Sequence, residues 1–343
     1  MKESCSVCPM PFYVGTVTFR GDVYSCCQAH FKKPYIFGNL NEQNFEQIWY
    51  GQKAKYLRNK IINKDYSLCD LDKHCNINDN VSRLLIDTLL PGQLELDPPP
   101  FPVVVILSLD WVCNFACVTC RDRVYMKEGI NYIALPHKGI YEALQNCQVV
   151  VVEGSGELFA SKVSQNVVQD IVNKFPNMQF VLHTNGSLSN EKNISLLFGN
   201  EYLKKLYGVE VSVHSCTDKV HRLFTRTNTF EAVRKNLEWF SYLKRSGKIK
   251  IFILVFVVTD VNYYEMPMFV SYANSLKCNI EVSFWNYRKW NNICDFDSLN
   301  ILDPSHPEHR RFKAMMIRYK KIFSAPHVHL CPILRTYIKE ESD

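Results

Sequence analysis

From residue 103 onward the chain repeats one unit: a short apolar run rich in β-branched residues, then a stretch with helical spacing. The runs are Val103 to Leu109, Val149 to Val152, Phe180 to His183, Val209 to Val213, Ile249 to Thr259 and Asn279 to Phe284. Helical spacing is clearest over residues 161–174, Phe230 to Tyr242 and 263–275. Runs this apolar fit parallel strands buried on both faces. Strands alternating with helices require crossover connections, hence an α/β fold. Six such units make a partial (β/α)6 TIM-like barrel, whose reactive residues belong in the loops after the strands.

The loop after the first run carries Cys113-Asn-Phe-Ala-Cys117-Val-Thr-Cys120, a C-x3-C-x2-C spacing. Three thiolates can hold three irons of a cubane iron–sulfur cluster, whereas electron-transfer clusters normally have four cysteines. The fourth iron is left for a small molecule, by the logic that gives catalytic zinc an open position. The competing reading is chance spacing in a chain with 14 cysteines.

Composition narrows the choice. Hydrophobic residues make up 47% and charged residues 22% of 343, as in a globular protein of one large domain and a small one. No N-terminal apolar segment with a small-residue cleavage site is present, and the longest apolar runs are too short to span a membrane. A cytoplasmic location is expected, with cysteines used for metal or redox chemistry rather than disulfides. The net charge of +6 is spread without a dense basic stripe, which argues against a nucleic-acid partner. Asp97-Pro98-Pro99-Pro100-Phe101-Pro102 reads as a stiff linker. The expected organisation is a cysteine-rich cluster domain over 1–97, a linker over 98–102, the barrel over 103–300 and an extension over 301–343.

The cysteine triplet and the motifs after the next strands resemble the radical S-adenosylmethionine (SAM) enzymes. Ser155-Gly156-Glu157 matches the family's GGE-type motif, with serine for the first glycine. Thr184-Asn185-Gly186 matches its TNG turn, and Ser212-Val213-His214 stands where relatives carry S-x-D. Arg226 and Asn262 follow as the family's arginine and asparagine do. The resemblance implies a 4Fe–4S cluster on Cys113, Cys117 and Cys120 whose open iron chelates SAM. It further implies that Ser155, Gly156 and Glu157 receive the SAM amino group. Asn185 would then bond a ribose hydroxyl, Ser212 the ribose or carboxylate, and Arg226 the carboxylate. Each has a plainer reading as a turn, cap or surface residue. Two departures are Thr119, where an aromatic is usual, and His214, in place of aspartate. Cys216, just past the fourth strand, is a candidate hydrogen-atom donor to a substrate radical, against its plainer reading as a small buried hydrophobe.

The N-terminal segment resembles a SPASM domain, the auxiliary-cluster module of many such enzymes. The resemblance rests on Gly21-x4-Cys26, the Gly38-Asn39 turn, the Ile48-Trp49 helix, Arg58 and the pair Cys69-x5-Cys75. It implies one auxiliary 4Fe–4S cluster on Cys8, Cys26, Cys69 and Cys75, with Cys5 and Cys27 in reserve. The module here precedes the core rather than following it, Tyr66 replaces a cysteine, and none closes the series at Asp79. A four-cysteine zinc site is the alternative. His306, His309, His327, His329 and Cys331 read as solvated or lone residues of the tail.

The expected reaction is reductive SAM cleavage to a 5′-deoxyadenosyl radical that abstracts hydrogen from a peptide or small metabolite such as a sugar, ending in oxidation, epimerisation or bond formation. A reductant such as flavodoxin or ferredoxin is implied. The alternatives are a non-catalytic iron–sulfur electron carrier and a zinc-stapled nucleic-acid-binding protein.

Overall fold

A computed structural model describes residues 7–26, 30–73, 75, 81–90, 101–126, 137–153, 155–288 and 296–339. Ten strands form one sheet: β1 (Val14–Thr18), β2 (Asp22–Tyr24), β3 (Gly38–Asn39), β4 (Val104–Ser108), β5 (Val149–Glu153), β6 (Gln179–Thr184), β7 (Leu206–Ser212), β8 (Ile251–Val258), β9 (Glu281–Asn286) and β10 (Val328–Leu330). Their order is β10-β9-β8-β7-β6-β5-β4-β1-β2-β3. All six expected core strands are present as β4 to β9, consecutive and parallel.

The sheet runs past those six strands at both ends. On one side β1 of the N-terminal segment pairs in parallel with β4, Val14 opposite Val104 through Thr18 opposite Ser108. It then turns at Gly21, whose φ of 84° is open to glycine without strain, into antiparallel β2. On the other side β10 adds in parallel to β9. The extension expected as tail thus contributes a strand, and His329 lies on it rather than in a loop. The proline run as far as Pro100 lies outside the described residues.

Crossover helices pack on one face of the sheet. Helix Lys162–Lys174 starts at Ser161, whose hydroxyl accepts from the Ser164 N–H, and buries Val167, Val168 and Ile171 on one side. Aromatic pairs mark the helix-packed face: Phe180 against Phe198, Phe252 against Phe240 and Phe256 against Phe269, with centroids 4.9–6.0 Å apart. Strand alternation therefore turns Glu153, His183, Glu210, Glu281 and Trp285 to the opposite face. No helix of the described residues is long and apolar enough to cross a membrane.

The N-terminal module has its own staple. Asn44 caps helix Phe45–Trp49 in a reciprocal box with Gln47. Arg58 is buried, its guanidinium 4.3 Å over the Trp49 ring. It donates to Pro11 O (2.8 Å) and Trp49 O (2.6 Å). Burial lowers its pKa to about 10, so it remains charged at neutral pH. Arg58→Ala should lower unfolding free energy by about 3 kcal/mol, and Arg58→Lys should recover less than half, since two charge-assisted bonds need the planar fork. Urea unfolding of the three proteins checks this.

Candidate iron–sulfur and cofactor sites

Two separate groups of cysteines are assembled. In the N-terminal module Cys8, Cys26, Cys69 and Cys75 line one cavity together with Met10, His30 and Tyr66. The chain brings them there by local means. Cys26 follows β2 in the left-handed region, with φ of 30°. Cys69 is bridged to Phe31, and the Cys75 N–H donates to Asp70 O at 2.7 Å. Burial pushes the Cys69 thiol up to about 11; it also raises Cys75, helped by neighbouring Cys8 and Cys69. Four thiols facing one volume fit a cluster, because a cubane spreads its ligands over four irons. Among the described residues no three His, Cys, Asp or Glu side chains close on one point as a single metal ion requires. Cys5 and Cys27, the reserve ligands, lie outside the described residues, as does Cys294.

Residues 8–76 match the SPASM family, described as an iron–sulfur cluster-binding domain. This segment is a SPASM domain. No curated protein matches the sequence. Among solved structures the chain is similar to Streptococcus suis SuiB bound to precursor peptide SuiA, at 14% identity, with 96% of this chain and 74% of that one covered and a TM-score of 0.49. It is also similar to the radical S-adenosylmethionine methyltransferase TsrM from Kitasatospora setae with cobalamin and a [4Fe-4S] cluster bound, at 15% identity, 51% and 34% coverage and a TM-score of 0.38.

The SPASM domain reaches across the sheet. Its β1 pairs with β4, yet His30, beside the cysteine cavity, stacks on Trp285 of β9 with centroids 6.0 Å apart. It thus touches both flanks of the strands between β4 and β9 on the face away from the helices.

The second group follows β4. Cys113 is buried, Cys117 partly buried and Cys120 exposed. Cys113 bridges to Tyr125, while the Ala116 and Val118 N–H groups donate to Thr225 O (3.1 Å) and Phe224 O (2.9 Å). Burial raises Cys113 to about 11 and lifts Cys117 further; Arg121 opposes both. Binding iron must therefore displace thiol protons. Arg121 carried no signal in the sequence beyond following Cys120. Its guanidinium donates to Cys120 Sγ (3.4 Å), Trp111 O (2.7 Å) and Ser155 O, fastening the triplet loop to the loop after β5.

The other motif residues gather around this loop, several with their polar atoms already engaged. The Glu157 N–H donates to Val112 O at 2.7 Å. Its buried carboxylate accepts from the Thr184 hydroxyl (2.9 and 3.0 Å) and the Asn185 N–H (2.8 Å). Burial raises its pKa, and those bonds resist. Asn185 donates to Asn114 Oδ1 (2.9 Å) and faces Cys113 Sγ at 3.9 Å. Ser155 Oγ meets Ser108 Oγ at 3.1 Å. A Cβ on Gly156 would sit 2.2 Å from Val112 O, so the close approach this glycine permits is to the triplet's own backbone. Gly154 lies outside the described residues.

Arg226 caps helix Asp218–Thr225 and reaches Asp122 O (2.9 Å), just past the triplet. Ser212 ends β7, half-buried, on the face of Glu210. Asn262 is fully buried; it accepts from Thr259 and donates to His214 O and Val257 O. Cys216 is not brought to the triplet: its thiol points to Glu265 O at 3.8 Å, and its N–H donates to the Glu265 carboxylate. In the tail, His306 and His309 bond Ser298 O and Ile301 O, and Cys331 bonds Asn286.

Two imidazoles, the buried His221 and the partly buried His214, lie near the helix that receives the triplet loop. His214 Nδ1 accepts from the Val257 N–H, and burial lowers its pKa to about 3. His221 packs edge-on against Phe115 and meets Thr229; burial lowers it to about 4, against Asp218. The unfolded chain takes both protons near pH 6.5, and the folded protein refuses them until far lower. Stability is therefore lost as pH falls from 6.5 toward 4. His221→Gln should reduce the loss between pH 6.5 and 5 by about 1 kcal/mol in urea unfolding. Gly156→Ala should lower the melting temperature, because Val112 O cannot retreat without moving the triplet; circular dichroism melts read this.

Proposed function

We propose that this protein is a radical SAM enzyme whose SPASM domain carries one auxiliary 4Fe–4S cluster. The observation that carries the reading is the C-x3-C-x2-C loop after β4, bound on one side by the loops after β5 and β6 through Glu157, Arg121 and Asn185. β4 to β9 would form the partial (β/α)6 barrel, with the reacting groups at the strands' C-terminal ends.

Cys113, Cys117 and Cys120 would hold a cluster with one iron open, and Cys8, Cys26, Cys69 and Cys75 the auxiliary one. With SAM bound, the open iron would supply reductive cleavage to a 5′-deoxyadenosyl radical for hydrogen abstraction. The protein's part is placement. Ser155, Gly156 and Glu157 would receive the SAM amino group beside the triplet, Asn185 faces Cys113, and Ser212 offers a hydroxyl at the end of β7. Arg226 serves as an anchor of the triplet loop and, through its remaining guanidinium nitrogens, as a carboxylate partner. The SPASM domain, stacked on Trp285, keeps water from the same face. The substrate is a peptide or a small metabolite, and the electron comes from a reductant of the flavodoxin or ferredoxin type.

Anaerobic reconstitution with iron and sulfide tests the reading. The protein should turn brown, bind about eight irons per chain, and release 5′-deoxyadenosine from SAM with dithionite. Cys113, Cys117 and Cys120 changed together to alanine should abolish release and leave about four irons. A colourless zinc protein, or cleavage retained in the triple variant, would overturn it.

A further inference from the structure

The fold gathers positive charge at one end of the sheet. The chain has 40 Lys and Arg against 34 Asp and Glu, yet residues 309–339 hold eight Lys or Arg and no Asp or Glu, so the rest of the chain is slightly acidic. In sequence the eight are broken up by apolar residues and form no run. Helix His309–Arg318 packs on helices Lys320–Phe323 and Pro332–Lys339, and those two pack on β10, which brings them together. All but Arg335 are exposed, and Arg311 pairs with Glu308 just outside the segment. Acids on the face of the sheet away from the helices are matched by imidazoles: His183 Nε2 lies 2.9 Å from Glu210 Oε2, and His329 Nε2 lies 2.7 Å from Glu281 Oε2.

Among the described residues β10 is the last strand of the sheet. The Val282 N–H donates to His327 O (2.8 Å) and the Cys331 N–H to Phe284 O (3.0 Å), so residues 327, 329 and 331 turn their backbone groups toward β9. Val328 and Leu330 turn theirs outward. The Val328 N–H folds back to Ala325 O (2.9 Å), which leaves the Val328 C=O and the Leu330 N–H on the open edge. Beside this edge lies a cavity of about 310 Å³, lined by apolar Phe323, Val328, Leu330 and Ile338 and by basic Arg335 and Lys339. Exposed Ser324, Pro326 and Lys339 belong to its lining, so it opens to solvent.

We infer that this edge docks an extended acidic segment of a polypeptide substrate, which adds to β10 as a further strand. Main-chain groups at the edge accept a strand of any sequence, alternate side chains of that strand enter the cavity, and the basic segment selects for acid. Three edge residues make few ladder bonds, so the apolar lining and the charge are both needed. A nucleic acid would answer the charge but not the apolar lining. A strand added here lies about 10 Å from β9, two strand spacings, and β9 carries the Trp285 that meets the SPASM domain. The inference deepens the proposed function, since it takes a peptide as what that site acts on.

Fluorescence anisotropy at low ionic strength tests it on the full-length, reconstituted protein. The probe is a fluorescein-labelled ten-residue peptide of alternating glutamate and valine. It should bind, and each of three changes should weaken binding at least tenfold. The first is lysine for glutamate in the probe, and the second is N-methylation of alternate backbone amides in the probe. The third is Arg335→Glu together with Lys339→Glu in the protein, whose circular dichroism spectrum should stay that of the wild type. Equal binding of the N-methylated probe overturns strand addition, and unchanged binding by the double variant overturns the location. Tighter binding of a ten-nucleotide single-stranded RNA than of the probe would assign the basic segment to nucleic acid instead. Glu340, Glu341 and Asp343 follow the segment directly and are another acidic occupant. A tenfold gain in probe affinity on changing Glu340→Gln, Glu341→Gln and Asp343→Asn together would give the edge to those residues and overturn its assignment to substrate. 5′-Deoxyadenosine release from the same preparation reports separately on the radical SAM reading, because probe binding requires no SAM cleavage.

Discussion

The Glu157 carboxylate is the joint on which the candidate site depends. Its backbone N–H holds the segment leading into the triplet, through Val112 O, while its oxygens take the Thr184 hydroxyl and the Asn185 N–H at the end of β6. One residue thus fixes three strand-end loops that are far apart in sequence. A buried carboxylate is costly unless hydrogen-bonded, and here the donors that stabilise it are the elements to be positioned. Gly156 completes the joint by letting the β5 loop lie against Asp110 to Val112. Arg121 closes it from the triplet's side by reaching Ser155 O.

Continuity of the sheet settles how the SPASM domain meets the rest of the chain. Parallel pairing of β1 with β4 uses backbone groups that an edge strand would leave exposed. The same module touches β9 through His30 and Trp285. An added strand and a distant ring contact together fix orientation in a way neither does alone. The order of modules along the chain is therefore no obstacle to placing a cluster cavity beside the strand ends.

Much of this was legible in the sequence for identifiable reasons. β4 to β9 are runs of apolar, β-branched residues, and a period that strong is hard to misread. Cys69 and Cys75 are close in sequence, and the triplet spans eight residues, so spacing alone exposes them. Pairing of β1 with β4 joins positions about ninety residues apart, and β10 has only three residues; neither leaves a local pattern. Glu153, His183 and Glu210 stand on three strands, each the single charged group of a run otherwise read as strand. Their meeting is created by register, which the sequence does not display. Arg226 and Asn262 were legible as positions but not as partners, because their bonds go to the carbonyls of Asp122, His214 and Val257.

The two faces of the sheet answer different physical demands. Against the helices every position must be filled by packed carbon, and Phe180, Phe252, Phe256 and Phe284 are fully buried there. The opposite face carries apolar residues such as Val149, Val151 and Val181, with Glu153, His183 and Glu210 further along β5 to β7 and Glu281 at the start of β9. An ion pair placed within a sheet is a poor source of stability, since desolvation offsets most of the Coulomb gain. Packed aliphatic side chains in the row of Glu153, His183 and Glu210 would hold the fold at least as well. Charge on the row of Glu153, His183 and Glu210, under a domain that stacks on Trp285, is therefore not explained by what holds the sheet together.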